Sequence, residues 1–127
     1  MIVGVGVDIV EVNRIAASLE RFGSRFLDKI LVDAEQRPEL SDRRLAAYVA
    51  KQFAAKEAVS KALGTGMGAG VNFAVICILR NRHGMPYVEL KGRASDHAMR
   101  IGADRIQVSL SDEREYALAY AIASSDE

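Results

Sequence analysis

Residues 53–66 read FAAKEAVSKALGTG, and this segment ends the longest regular pattern in the chain. Apolar residues recur at helical spacing through it and back to about residue 41. We therefore predict one long helix from Ser41 or Asp42 to Leu63. Either Ser41 or Asp42 can cap its N-terminus, and Gly64 ends it.

The predicted helix carries its apolar residues on one broad arc, made up of Leu45, Tyr48, Val49, Phe53, Val59 and Leu63. Lys56 projects near the centre of that arc, where it either snorkels to solvent or serves a buried anionic site. Snorkelling is the more ordinary of the two. Glu57 and Lys61 lie one turn apart at the edge of the arc. Such a pair alone is a common helix stabiliser, worth ~0.2–0.5 kcal/mol.

The N-terminal segment, residues 2–10, alternates as a β-strand does. One face presents Val3, Val5, Val7 and Ile9, and the other presents Gly4, Gly6 and Asp8 with Ile2 and Val10. Two glycines beneath a carboxylate leave room for a bulky group to approach the backbone. Two short helices are predicted next, over residues 12–22 and 24–31, separated by Gly23.

The second half of the chain reads mostly as strands. A glycine-dense loop, residues 64–70, precedes predicted strands at residues 73–79 and 87–90, which are joined by a turn at residues 81–84. A small helix at residues 94–101 follows, then a strand around residues 106–111 and a last strand at residues 116–123. The last strand has four alanines on one face (Ala117, Ala119, Ala121 and Ala123), which allows close packing against another element or another subunit.

Length and order of elements predict the fold class. A chain of 127 residues, half of them hydrophobic, fits one domain spanning residues 1–127. We expect a compact α+β domain of mostly antiparallel strands with one long helix and several short helices.

Charge and composition limit the function classes. The 17 basic and 17 acidic residues cancel, so no global field attracts nucleic acid. Residues 43–61 are nevertheless rich in lysine and arginine, which predicts an anionic partner. No apolar run approaches the ~20 residues that span a bilayer, and no basic leader precedes the first strand, so we expect a cytoplasmic protein. The single cysteine, Cys77, lies in an apolar run and is predicted to be buried and inert.

Several patterns resemble known motifs without matching them. The glycines at 4 and 6 lack the third glycine and the helix start of a dinucleotide fingerprint. The glycine loop at residues 64–70 follows a helix and lacks the lysine of a phosphate-binding P-loop. His83 and His97 have no partner at metal-ligand spacing, so both are expected at the surface.

The remaining signal is a pair of carboxylates in different elements. Mg²⁺ prefers one or two carboxylates together with water and substrate phosphates. If the first strand packs on the long helix, Asp8 and Glu57 would supply these carboxylates. Lys61 would then reach a phosphate oxygen, and the loop from Gly64 would allow the backbone close to the rest.

Two separated motifs make the chain similar to a known family. The first is Gly4-Val5-Gly6-Val7-Asp8-Ile9-Val10-Glu11, followed by Arg14, and the second is the segment at residues 53–66. Later matches are Gly84-Met85-Pro86 and Val108-Ser109-Leu110-Ser111. Over essentially its whole length, the chain resembles the holo-(acyl carrier protein) synthases, the small bacterial 4′-phosphopantetheinyl transferases.

The resemblance implies a function and an assembly. Members of this family are trimers with active sites between subunits. They transfer 4′-phosphopantetheine from coenzyme A to a serine of apo acyl carrier protein, releasing adenosine 3′,5′-bisphosphate, in fatty acid biosynthesis. They use Mg²⁺, with Mn²⁺ as the alternative.

The resemblance also assigns residues. Asp8 and Glu57 match the metal ligands, and Lys61 matches a lysine that contacts the pyrophosphate. The remaining assignments are the cofactor contacts Gly64, Thr65, Gly66, Pro86 and Ser111, of which Pro86 and Ser111 approach from the neighbouring subunit, and the carrier-docking residues Arg14, Arg21 and Arg25.

The chain departs from the family pattern at two places. Asp112-Glu113 stands where many members have a histidine, and Met85 stands where many have a lysine. The cofactor contacts of those two positions are therefore not carried over. The residues alone also leave open a rival function, a non-catalytic trimeric module that captures an acidic helical partner through the same arginines. They leave open as well whether Glu57 or a metal-bound water takes the serine proton.

Overall fold

The computed structural model describes residues 1–126. Its elements, in chain order, are β1 (Ile2–Glu11), α1 (Val12–Phe22), α2 (Ser24–Ile30), α3 (Asp42–Ala62), β2 (Ile76–Arg80), β3 (Pro86–Leu90), α4 (Gly92–Arg100), β4 (Arg105–Asp112) and β5 (Tyr116–Ser124). Single turns of 3₁₀-helix stand at Asp33–Glu35 and Phe73–Val75. The α+β architecture predicted from the element order is confirmed.

All strand pairs are antiparallel and form two small sheets. One sheet has the order β1-β5-β4, so the first strand pairs with the last. The other is the hairpin of β2 and β3. No helix among residues 1–126 is long and apolar enough to cross a bilayer.

The long helix α3 packs directly on the three-stranded sheet. A side chain at Gly4 would overlap the carbonyl oxygen of Ala62, and one at Gly6 would overlap that of Ala58. The four alanines of β5 predicted to share a face are fully buried against the same helix. The bulky group for which the glycines of β1 leave room is therefore α3 itself.

The opposite face of this sheet is the apolar one, and in a single chain it is exposed. Val5 is 52% exposed, and its neighbours on β1 and the large side chains of β5 are similarly open to solvent. The alternation was predicted correctly, but the larger side chains point away from the core. Glycine and alanine face inward because only they allow the helix so close.

Helix α3 is buried on nearly all sides and not along a single arc. Its buried residues include the small Ala50 and Ala54 together with Gln52, Lys56 and Ser60. The one-sided apolar arc was therefore an incomplete prediction. Sheet, hairpin and short helices surround α3, so polar residues on it are enclosed as well.

Other boundaries differ slightly from those expected. The strand predicted from residue 73 begins at Ile76, because the side chain of Asn72 accepts a hydrogen bond from the Ala74 amide and stabilises a 3₁₀ turn there. Ser41 occupies the N-cap position of α3, but its side chain makes no capping hydrogen bond. His97 was expected at the surface, yet its Nε2 lies 2.9 Å from the carbonyl oxygen of Leu63 at the end of α3.

Lys56 does not snorkel to solvent. Its ammonium is fully buried and donates to Glu35 Oε1 at 2.6 Å and to the carbonyl oxygens of Ile30 and Phe73. The other carboxylate oxygen of Glu35 accepts from Gln52 Nε2 at 2.6 Å and from the Ile78 amide. Of the two alternatives for Lys56, the buried anionic partner is correct, and that partner belongs to the same chain.

Candidate functional site

Asp8, Glu57 and Lys61 meet where β1 crosses the C-terminal half of α3. Asp8 lies on the helix-facing side of β1, opposite Ala119 in the register. Lys61 Nζ is 3.2 Å from Asp8 Oδ1 and 2.9 Å from the carbonyl oxygen of Val7. The side chain of Asp8 is 18% exposed and that of Lys61 is 49% exposed. The predicted convergence of strand and helix is thus present, and the site is open to solvent on one side.

The surroundings of Glu57 disfavour its ionised form. Burial raises its pKa above the usual value of 4.5, Asp8 raises it further, and Lys61 partly opposes the rise. Two carboxylates that repel each other at the mouth of a site favour a cation between them.

The donor set fits a hard divalent cation. No group of three or more His, Cys, Asp or Glu side chains able to hold a metal occurs within residues 1–126. Two carboxylates with room for water and phosphate oxygens are the arrangement Mg²⁺ accepts, because it retains several waters and binds alongside substrate phosphates. Asp8 and Glu57 are therefore the residues that would hold such an ion.

The loop after α3 is anchored to the helix. The amides of Thr65 and Gly66 both donate to the carbonyl oxygen of Ser60. The Thr65 hydroxyl lies 2.8 Å from the carbonyl oxygen of Gly66 and 3.3 Å from that of Ser60. Gly64 and Gly66 have φ of +83° and +60°, with open space where a side chain would lie. The loop can therefore contact a ligand, but the amides of residues 65 and 66 are already engaged.

Pro86 and Ser111 lie away from the carboxylate pair. Ser111 is exposed and stands in register with Leu118, and through it with Ile9, on the outer face of the sheet. Asp8 lies on the inner face of the same sheet. Within one chain the structure does not bring either residue together with Asp8.

The three arginines predicted to dock a carrier protein are exposed. Arg14 and Arg21 belong to α1, and Arg25 belongs to α2. The Arg21 guanidinium stacks over the ring of Phe22 at 5.0 Å, and Phe22 is itself 47% exposed. These helices therefore present a basic surface with an apolar side chain in it.

The basic run at residues 43–61 is not one surface. Lys56 is buried with Glu35, Lys51 pairs with Asp112 at 3.3 Å, and Lys61 joins Asp8. The predicted cationic patch is therefore not continuous, because these charges point in different directions around α3. The buried thiol of Cys77 is confirmed, and burial raises its pKa.

Sequence reasoning missed two polar residues. Glu35 was not singled out in the sequence, but it is 1% exposed and accepts hydrogen bonds from Lys56 and Gln52. Arg80 enters the same network, because its Nη2 donates to Gln52 Oε1 at 2.8 Å. The one hint was the unusual position of Lys56, for which a buried anionic partner was one of the two alternatives.

Comparison with known proteins identifies the family. The family model described as the 4′-phosphopantetheinyl transferase superfamily matches residues 4–121. A holo-[acyl-carrier-protein] synthase of Vibrio vulnificus is 44% identical over 98% of this chain and 98% of its own length. The holo-[acyl-carrier-protein] synthase of Neisseria meningitidis superimposes with a TM-score of 0.88 at 38% identity, covering 98% of this chain and all of that one. The Bacillus anthracis enzyme, solved in complex with CoA (3′,5′-ADP), has a TM-score of 0.82 at 35% identity and covers 99% of both chains. On sequence and fold together, the chain belongs to the holo-[acyl-carrier-protein] synthases of the 4′-phosphopantetheinyl transferase superfamily.

Proposed function

We propose that the site formed by Asp8, Glu57 and Lys61 transfers 4′-phosphopantetheine from coenzyme A to a serine of apo acyl carrier protein. The observation that carries this proposal is the meeting of Asp8 with Glu57 and Lys61, which places two carboxylates and an ammonium at one solvent-open edge. The relatives named holo-[acyl-carrier-protein] synthase give the reaction class.

The reaction is a displacement at phosphorus. The serine oxygen forms a bond to the β-phosphorus of coenzyme A, and the bond to the leaving adenosine 3′,5′-bisphosphate breaks. Negative charge spreads over the phosphate oxygens, so positioning and electrostatic stabilisation supply most of the catalysis. Lys61, half exposed beside Asp8, neutralises charge on the diphosphate.

Asp8 and Glu57 would hold a divalent cation, Mg²⁺ or Mn²⁺. Bound there, the ion supplies positive charge to the diphosphate oxygens and screens the two carboxylates from each other. The serine proton passes either to Glu57 or to a water.

We further propose a homotrimer whose subunits meet through the outer face of the β1-β5-β4 sheet. Ile9 is 62% exposed and Tyr120 is 44% exposed on this face. A continuous apolar surface of this kind is usually covered by a partner. Assembly there would also carry Ser111 toward a neighbouring copy, as the family resemblance implies. Pro86, together with the loop at Gly64, Thr65 and Gly66, completes the proposed cofactor contacts.

Arg14, Arg21 and Arg25 are proposed to dock the carrier protein. All three are exposed on adjacent helices and make no ion pair with a described residue. They are free to meet an acidic helical partner, which electrostatic complementarity would steer to this surface. A cytoplasmic location is consistent with the single, buried and unpaired Cys77, since reducing compartments keep thiols free.

Intact-mass spectrometry of apo acyl carrier protein tests the reaction. The carrier is incubated with this protein, coenzyme A and Mg²⁺, beside a sample that contains chelator. We expect a gain of one phosphopantetheine mass that chelator abolishes. If several apo carriers gain no mass while the protein is folded, the enzyme assignment fails, and the rival capture module, which binds carrier without cofactor or metal, becomes the better account.

A further inference from the structure

The short helix α4 packs against the glycine-dense loop at residues 64–70, which carries three of the proposed cofactor contacts. The start of the helix is tied to the segment that follows the loop, because the Lys91 amide donates to the carbonyl oxygen of Val75 at 2.9 Å. A side chain at Gly70 would overlap that of Arg93. Helix α4 therefore contacts the far end of the loop.

His97 of α4 contacts the near end of the loop, where α3 stops. Its Nε2 lies 2.9 Å from the carbonyl oxygen of Leu63, and Leu63 is 1% exposed. A carbonyl oxygen can only accept, so Nε2 carries a proton and donates. No other side chain of residues 1–126 outside α3 and the loop hydrogen-bonds to residues 62–66. The last carbonyls of a helix have no intrahelical partner, so His97 acts as a side-chain cap at the C-terminus of α3.

The hydrogen bond from His97 fixes the orientation of one peptide group. The carbonyl of Leu63 and the amide of Gly64 belong to the same planar peptide unit. His97 holds the carbonyl, and the carbonyl oxygen of Lys61 accepts from the Gly64 amide at 2.9 Å. Both polar groups of the unit are therefore engaged, and this fixes the direction in which the chain leaves α3.

Without His97 that orientation would no longer be determined. The buried carbonyl of Leu63 would lose its partner, which costs free energy until the peptide unit turns toward water or another donor. Such a turn changes ψ of Leu63 and φ of Gly64. Gly64 stands at a φ of +83°, but glycine adopts positive and negative φ about equally readily. Glycine itself therefore does not hold this conformation, and the hydrogen bonds of the peptide unit must.

We propose that His97 is a positioning residue for coenzyme A, on which it acts through the loop and not by contact. This inference rests on the proposed function. The proposed cofactor contacts at residues 64–66 directly follow the peptide group that His97 holds. A change of direction at Leu63 would displace them from Lys61, which is assigned to the diphosphate.

The proposal predicts which kinetic constant responds. Residues 64–66 are assigned to binding coenzyme A, and they hold it in the same way before and during transfer. Displacing them weakens the ground state and the transition state equally, so the effect falls on the KM for coenzyme A and not on kcat. The carrier protein is assigned to a different surface, so its KM should not change.

Variants of His97 test this kinetic effect. His97→Leu removes the donor and should raise the KM for coenzyme A roughly three- to ten-fold, the equivalent of one neutral hydrogen bond. His97→Ala, which also lacks the donor, should behave in the same way. His97→Gln presents a side-chain amide that can donate to the same carbonyl, so it should recover most of the loss.

Met99→Gly is the matched control on the same helix. Glycine weakens α4 through its low helix propensity, but the side chain of Met99 is 76% exposed. The control should therefore lose stability and keep the wild-type KM for coenzyme A. An equal rise of KM in the control would mean that the effect comes from the stability of α4, and the inference would be wrong.

Amide hydrogen exchange followed by NMR tests the loop without any turnover. The amides of Thr65 and Gly66 donate to the carbonyl oxygen of Ser60, so both should be protected in the wild type. We expect His97→Leu to speed their exchange by a factor similar to the rise in KM, and His97→Gln to restore their protection. The Ile78 amide, which donates to Glu35 elsewhere in the fold, should be unaffected.

The outcomes separate this inference from the proposed function. Unchanged exchange at Thr65 and Gly66 in folded His97→Leu would show that His97 does not hold the loop. Faster exchange with an unchanged KM for coenzyme A would also overturn the inference, because the loop that His97 holds would then not position the cofactor. If the wild type transfers nothing from coenzyme A to any carrier, the proposed function itself has failed, whereas the exchange result still decides whether His97 holds the loop.

Discussion

Lys56 and Glu57 are consecutive residues of α3, yet their surroundings are opposite. Lys56 is fully buried, and Glu35 and two backbone carbonyls accept its hydrogen bonds. Glu57 is only partly buried, and its nearest acidic neighbour, Asp8, repels it. The first residue has every interaction it needs within the chain, whereas the second has interactions that the chain leaves incomplete.

This difference teaches how one helix serves both fold and function. A buried charge that is fully paired ties elements together, since breaking the pair would leave an isolated charge in the interior. A carboxylate that is repelled by a neighbouring carboxylate is stabilised when a cationic ligand binds between them. We therefore expect substitutions at Lys56 to affect folding and substitutions at Glu57 to affect activity.

The largest expected effect is on stability, at Lys56. Lys56→Met leaves the buried Glu35 carboxylate without its cation and should lower the free energy of unfolding by about 3–5 kcal/mol. Urea denaturation measures this, with Lys51→Met as the control, since Lys51 is partly exposed and makes a surface ion pair. A loss below about 1 kcal/mol would mean that the buried pair does not hold the fold together.

The next effect is on turnover, at Glu57. Glu57→Gln should lower kcat by roughly 100- to 1,000-fold, the usual cost of removing a group that organises transition-state charge. Because the folded protein disfavours the ionised form of Glu57, the neutral glutamine should leave the melting temperature unchanged or raise it. Full activity in the folded variant would remove Glu57 from the site.

A substitution at the strand–helix contact should affect both properties together. A methyl group at Gly6 overlaps the carbonyl oxygen of Ala58, so α3 must move away from β1. Gly6→Ala should cost about 1–3 kcal/mol of stability and lower the activity of the protein that remains folded, because Asp8 and Glu57 separate. Gly102→Ala adds the same methyl in open space at a φ of +77°, so it should cost stability through backbone strain but leave the activity of the folded protein unchanged.

Exposed charges should act only on partner binding. Reversing Arg14 and Arg21 to glutamate should raise the KM for carrier protein about ten-fold while leaving stability unchanged, with added salt imitating the effect on the wild type. Arg100→Glu, on exposed α4, is the control. An unchanged KM for the carrier protein would mean that these arginines are ordinary surface residues with no role in docking.

The smallest effect is the pH dependence of metal binding. Since the pKa of Glu57 lies above 4.5, protons compete with Mg²⁺ at a higher pH than at an ordinary glutamate. The apparent Kd for Mg²⁺ should rise by at most about ten-fold per unit as pH falls below that pKa. In the metal-free protein, the same raised pKa means that stability is lost as pH rises through it. Isothermal titration calorimetry measures the first effect, and Glu57→Gln should remove the part of the dependence that Glu57 contributes.

Much of the fold could be predicted from local signals. Gly23 and Gly64 mark the ends of helices, and strict alternation marks β1 and β5, so these elements lie close to where they were expected. Alternation does not reveal which face of a strand is buried. In β1 the decisive fact is the approach of α3, a contact between residues more than fifty positions apart that the local pattern does not contain.

The candidate site was predicted less completely. Asp8, Glu57 and Lys61 were selected from the residue types and from the family resemblance, and their convergence is confirmed, while their roles stay predictions. Glu35 lies in a single 3₁₀ turn without periodicity, so nothing local marked it as buried. The position of Arg80 depends on the amide of Gln52, which no spacing rule describes.

The sheet order has a consequence for the synthesis of this protein. Of the described elements, β1 is synthesised before the others, but its strand partner within residues 1–126 is β5, which is synthesised after them. Until β5 has been synthesised, the valine-rich strand β1 lacks the neighbour that pairs with its backbone. Such segments are prone to associate with other chains. The nascent polypeptide therefore exposes an aggregation-prone strand during most of the synthesis of this domain, so rapid completion or shielding by a chaperone would favour its yield.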